Sequence, residues 1–276
     1  MREEHKRNNR VSRSRQIPAL SSFRTERLAA LREEVRALEK HGVAKAGGVL
    51  PFGIGDVDRR LEGRGLATAA LHEIAGASAD LSDDAAATLF IAGIAARRGN
   101  GTVLWALPRF DLFPPGLAVA GLGPSRVLYA ECGRDEEVLA VMEEGLRHGG
   151  LDAVIGEIGR AAMASTRRLQ LAAEEGGTTA LMLRRWRRNG ENPLAAPSAA
   201  RTRWKIGCVP STSLPVDGIG RARWRVDLVR QRGGAAHSWI LEASDAEGRL
   251  ALPAHSRHRP AEPDRRAEPD RRARAA

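Results

Sequence analysis

Residues 71–84 read Leu-His-Glu-Ile-Ala-Gly-Ala-Ser-Ala-Asp-Leu-Ser-Asp-Asp, and this stretch decides the fold. Leu71 to Ile74 is a short apolar run that predicts a strand. Asp83 to Arg98 predicts a helix, with Ser82 as N-cap and two aspartates in its first turn. A strand, a loop and a helix N-terminus in that order make a place where backbone N–H groups and the helix dipole favour an anion. A working phosphate loop there needs GxxxxGK[ST]. The glycines let the backbone wrap the phosphates, the lysine reaches the β/γ-phosphates and the hydroxyl holds Mg²⁺. Here Gly76 keeps the first glycine, but Leu81 stands at the second, Ser82 at the lysine and Asp83 at the hydroxyl. Asp80, Asp83 and Asp84 also bring carboxylates that repel a triphosphate at close range. They suit a helix N-terminus and can replace the anion that a ligand supplies elsewhere. Ordinary ATP hydrolysis is not expected, nor any catalytic residue, cofactor or metal.

Outward from this stretch, short apolar runs alternate with helical ones. Strands are predicted at Thr102 to Leu107, Arg126 to Ala130, Asp152 to Ile158 and Thr178 to Leu183. Helices are predicted around Leu117 to Leu122, at Asp135 to His148 and at Ser165 to Glu175. Strands that alternate with helices argue for an α/β fold, a mostly parallel sheet covered on both faces. After residue 184 the pattern changes to three strands with little helix between them, Arg201 to Val209, Arg223 to Arg230 and Ser238 to Glu242. Trp204 and Ile206 alternate with Arg203 and Lys205, and Trp224, Val226 and Leu228 with Arg225 and Asp227. One apolar and one charged face predict an antiparallel C-terminal extension at the sheet edge.

The ends differ from this core. Residues 1–22 are polar and basic and predict a disordered arm. Residues 23–45 hold Leu28, Leu31, Val35 and Leu38 at three- and four-residue spacing, an amphipathic helix that docks on its own domain or on a partner. The core spans 46–252, and the tail 253–276 repeats AEPDRR and predicts disorder. The net charge is +10, of which residues 1–45 supply +6 and 253–276 supply +3. A basic balance suggests nucleic acid, but the excess sits mostly at the ends. Inside the core, 184–232 carries +9 and 131–157 carries −6, a polarity that suits head-to-tail stacking of protomers or two different partners.

Aromatic residues are 4% of the chain, which predicts a core resting on Ala, Val, Leu and Ile. Cys132 and Cys208 are far apart and form no CxxC pair, against a disulfide scaffold or a zinc site and in keeping with a reducing compartment. With no apolar signal core and no apolar run of bilayer length, a soluble cytoplasmic protein is expected. The His residues form no triad order, and His72 reads as structural. Asp152 to Glu157 resembles the second element of nucleotide-driven motors, an apolar strand ending in an acid; without the loop lysine Glu157 reads as a leftover of that element or a helix-capping carboxylate, with a metal role as the lesser alternative.

The stretch Val49 to Gly76, VLPFGIGDVDRRLEGRGLATAALHEIAG, is similar to the entry of a RecA-like core. WALPRFDLFPPGLAVAGLGPSRVLYAE, LDAVIGEIG, STRRLQLAAEEGGTTALMLR, AARTRWKI, ARWRVDLVRQRGG and SWILEA follow in order. Over about residues 47–252 this set resembles the ImuA family, RecA-like accessory proteins of bacterial damage-induced mutagenesis cassettes. The resemblance implies a scaffold in SOS-induced translesion DNA synthesis. Its implied partners are ImuB, a catalytically deficient polymerase-like protein, and an error-prone replicative-type polymerase. RecA, single-stranded DNA and a second copy of the chain are further candidates. The carboxylate that active RecA-like ATPases carry after the second core strand is also absent, since Ala106-Leu107-Pro108-Arg109 occupies that place. Two other readings stay open, a SulA-like division inhibitor and an active ATPase with an atypical loop. For protomer or nucleic-acid contact, the residues singled out are Arg184, Arg185, Arg187 and Arg188 around Trp186, and Arg230 and Arg232. The last two lie in a segment that is either a basic inter-protomer element or a charged hairpin end with Gly233-Gly234 as its turn.

Overall fold

A computed structural model describes residues 47–186, 190–212 and 218–253. The arm 1–22, the helix expected within 23–45 and the tail from residue 254 lie outside the described residues, as do Arg187 and Arg188.

The described chain opens with a small antiparallel pair, β1 (Val49–Leu50) and β2 (Leu66–Ala67), enclosing the one-turn helix α1 (Gly55–Asp58). Eight further strands form one sheet. They are β3 (Leu71–Gly76), β4 (Val103–Leu107), β5 (Val127–Glu131), β6 (Ala153–Ile158), β7 (Thr179–Arg184), β8 (Thr202–Val209), β9 (Arg223–Gln231) and β10 (His237–Glu242). Their order is β10-β9-β8-β3-β7-β6-β4-β5. Helices α2 (Leu81–Ala96), α3 (Pro114–Val119), α4 (Asp135–His148) and α5 (Met163–Gly176) connect the early strands.

The expected α/β architecture is present, antiparallel C-terminal strands included. β9 pairs antiparallel with both β8 and β10, while β8 joins the central sheet by running parallel to β3. Its alternating pattern is the same in either direction, so periodicity alone could not show this. The charged face of β8 is also not solvated throughout, because Arg203 is buried.

Strand period two divides the core into two layers. On one face α2 and the 52–61 loop cover Ile74, Trp105, Ile155, Leu183, Trp204 and their neighbours. On the other, α4 and α5 cover Leu71, Leu104, Val154, Ala180 and Met182. The β3, β4, β6 and β7 strands are buried along their whole length, as central parallel strands must be. The expectation of an aliphatic core is corrected on the α2 face. Trp204 sits 5.7 Å from Phe52 and 5.9 Å from Phe90 between ring centroids, with Trp224 and Trp239 beside them. The few aromatic residues are concentrated there, and each tilted pair adds about 0.5–1.5 kcal/mol beyond its buried area. Among the described residues no helix is long and apolar enough to cross a membrane.

Candidate functional site

Ligands of open α/β sheets bind beyond the carboxyl ends of the strands. Here β3 ends at Gly76, and the loop turns into α2 over a cleft of about 820 Å³. Its walls come from the start of α2, the 108–113 segment, α3 and the ends of β6 and β7.

The loop closes on its own atoms. A Cβ at Gly76 would stand 3.0 Å from the Asp83 carbonyl carbon, so any larger residue would push the strand end and the helix start apart. The backbone N–H of Ala77 donates to Ile206 O at 2.8 Å. Ser78 Oγ donates to Asp83 Oδ2 at 2.7 Å, and the Cys208 N–H donates to Asp83 Oδ1 at 2.7 Å. The Trp186 indole N–H donates to Gly76 O at 2.9 Å. Asp83 thus ties the helix start to β8. Ser82 is not the N-cap. The helix begins two residues earlier than expected, at Leu81, with Asp80 at the cap position in extended backbone and no side-chain cap bond. Ser82 lies inside the first turn, where its carbonyl accepts a bond from Cys208 Sγ at 3.2 Å.

At the back of the cleft an arginine stands between two carboxylates. Arg185 follows β7 and its side chain reaches the α2 face. Its Nη1 lies 2.7 Å from Asp84 Oδ2, and its Nε and Nη2 lie 2.8 and 2.7 Å from Glu157 Oε2. Nη1 also donates to Thr88 Oγ1 at 2.9 Å. The other Glu157 oxygen accepts the buried Trp105 indole N–H at 2.7 Å. Burial pushes the Glu157 carboxyl above the ordinary range, against the pull of Arg185 and Trp105. Both Glu157 oxygens therefore have internal partners, and the positive charge beside them is the protein's own. The local sequence explains the arrangement. Period two along Leu181, Leu183 and Arg185 carries the guanidinium to the α2 side, and the same period along Ala153, Ile155 and Glu157 brings the acid to meet it.

Arg184, one residue earlier, points to the opposite face. It is 2% exposed, and its Nη1 lies 2.9 Å from Glu73 Oε1. Arg203 Nε lies 2.7 Å from Glu73 Oε2, and Ser198 Oγ donates to Glu73 Oε1 at 2.9 Å. Burial lowers the Arg184 pKa, and Glu73 works against that fall. The reading of Arg184 as a protomer or nucleic-acid contact is corrected, because its charge is spent inside the sheet. Arg185 and Trp186 face the cleft rather than forming a solvated rim. At the far end of the sheet Arg230 Nη1 donates to Ser198 O at 2.9 Å, and Arg232 N–H to Arg201 O at 2.9 Å. Both stand beside the turn made by Gly233, at φ +78°, and Gly234, so that segment is a charged hairpin end.

Glu73 was missed by sequence reasoning. The signal lay in LHEIA itself. A central strand buried on both faces cannot carry a lone carboxylate, so Glu73 required cationic partners. His72, beside it, bonds Thr202 Oγ1 at 2.7 Å and Ala67 O at 2.8 Å, and burial lowers its pKa to about 4. That matches a structural histidine.

No protein-family model matches the chain. Curated relatives from two strains of Caulobacter vibrioides, NA1000/CB15N and ATCC 19089/CIP 103742/CB 15, both carry the name Protein ImuA. Each is 36% identical over 207 residues, covering 72% of this chain and 84% of the relative.

Proposed function

The chain belongs to the ImuA family, and on that premise we propose that it is a non-catalytic, RecA-like scaffold of error-prone translesion DNA synthesis. It holds an ImuB-type polymerase-like protein and an error-prone replicative-type polymerase together after DNA damage, and it works beside RecA on single-stranded DNA. One observation carries the absence of turnover. The Arg185 guanidinium bridges Asp84 and Glu157 at 2.7 Å on each side, where a nucleotide-driven motor needs a free carboxylate and an incoming metal. A triphosphate entering the cleft meets carboxylates at the helix start instead of a lysine, and must break an internal ion pair to reach Glu157. A scaffold needs no turnover, so these losses fit the assembly role.

The test is ATP binding and hydrolysis by the purified full chain, with and without single-stranded DNA and RecA filaments, alongside co-purification with the ImuB-type protein. The expected result is a stable complex with the ImuB-type protein, with no saturable ATP binding and no turnover. DNA-stimulated hydrolysis that disappears in Glu157→Ala would overturn this function and make the chain an active motor.

A further inference from the structure

The cleft is open, and its mouth is apolar. Leu81, the first residue of α2, is 87% exposed, and Phe113, before α3, is 71% exposed. Both line the cleft, with Leu89, Leu112 and Leu117 behind them. Large apolar side chains this exposed at one concave site mark a contact surface. The charge lining it is acidic. Asp84, Asp111 and Glu157 face two guanidiniums, Arg109 and Arg185, and each guanidinium is already ion-paired within the cleft. Asp80 adjoins Leu81, and Glu131 Oε1 accepts the Phe110 N–H at 3.4 Å beside the rim. Phosphate is repelled by such a site, whereas a cationic segment with apolar anchors is complementary to it.

The chain carries a segment of that chemistry. Residues 10–24, RVSRSRQIPALSSFR, hold Arg10, Arg13, Arg15 and Arg24 with no acid, and Val11, Ile17, Leu20 and Phe23 among them. They lie outside the described residues. The described chain begins at Gly47, near Ala69 and the amino end of β3, across the sheet from the cleft. β3 spans roughly 20 Å. The residues from Phe23 to Gly47 cover roughly 35 Å as a helix and up to about 80 Å extended, so the tether is long enough.

We propose that residues 10–24 dock in the cleft of their own molecule. Leu20 and its apolar neighbours seat between Leu81 and Phe113, and the arginines face Asp80, Asp111 and Glu131. This rests on reading the cleft as a non-nucleotide site. The test substitutes a photoreactive benzophenone amino acid at Leu20 of the full chain, irradiates it, and maps the cross-links by mass spectrometry. The expected cross-links fall in the peptides holding Leu81 or Phe113. Their yield is unchanged on tenfold dilution and falls at least fivefold in Leu81→Asp/Phe113→Asp. The pair Arg13→Glu/Arg15→Glu, outside the described residues, also lowers the yield, with the far-UV circular dichroism of the chain unchanged. Cross-links mapping elsewhere overturn the proposal, and so does a yield that falls on dilution, which assigns the cleft to a second molecule's arm. If millimolar ATP displaces the cross-link, nucleotide competes for the cleft and the premise of a non-nucleotide site fails with the docking. If ATP does not bind and the cross-link maps elsewhere, this docking alone fails.

Discussion

Arg184 and Arg185 are consecutive, and they end on opposite faces of one sheet in opposite kinds of site. Arg184 enters a dry cluster with Glu73, Arg203 and Ser198. Arg185 crosses a cleft to Asp84 and Glu157 with about a quarter of its side chain exposed. The dry cluster holds two guanidiniums on one carboxylate, and the Arg184 Nε and an Arg203 Nη lack partners. Such a cluster is costly to break, because every member is out of water. The wet pair has solvent to fall back on and can be opened. The contrast separates an arginine built into the sheet from one that lines an open cleft.

The hardest test of that contrast is Glu73→Gln. It leaves two buried cations without a counter-charge and should cost about 3–5 kcal/mol, read as a lower urea midpoint or failure to fold. A loss below about 1 kcal/mol would mean the cluster is hydrated. His72, next along the same strand, sharpens the comparison by pH. Its pKa is depressed to about 4 in the folded chain against 6.5, so its contribution is fully present above about pH 6.5. As pH falls towards 4 the unfolded chain takes up the proton first, and about 3 kcal/mol is lost. His72→Gln should flatten that part of the stability profile, and an unchanged slope would place the loss in other groups.

A smaller effect is expected at the wet pair. Arg185→Met should leave the chain folded and cost about 1–2 kcal/mol. It strips the counter-charge from Glu157, whose folded pKa is already raised. The penalty should therefore grow as pH rises above the ordinary carboxylate range, and be larger at pH 8 than at pH 5. Glu157→Gln in the same chain should restore the loss, measured as a double-mutant cycle. An equal penalty at both pH values would show that Glu157 does not depend on Arg185. The smallest change is Trp186→Phe, which removes only the bond to Gly76 O and should cost about 1 kcal/mol. A much larger loss would make that indole a structural pin of the loop.

The strands and helices were legible because period-two and helical spacing are local properties of the chain. The ends of α4 matched to the residue. What was not legible depends on pairing across distance. The direction of β8 is set by which strand it meets, and the partner of Arg184 lies 111 residues away. A cluster of arginines around Trp186 looks alike in sequence whether it is solvated or divided between two faces. The α2 cap failed by two residues, and the bond that ties Asp83 to β8 comes from Cys208, 125 residues on. Period two alone could have separated Arg184 from Arg185, once β7 was known to be buried on both faces.

The central position of β3 also sets a clock for synthesis. β3 is made early, yet its flanking strands are β7 and β8, and His72 waits for Thr202, 130 residues later. At about 5–20 residues per second of translation, a strand buried along its whole length lacks its full set of neighbours on the ribosome for roughly 6–26 s. During that interval the nascent chain carries an apolar strand whose Glu73 has no full counter-charge until both of its arginines, Arg184 and Arg203, have emerged.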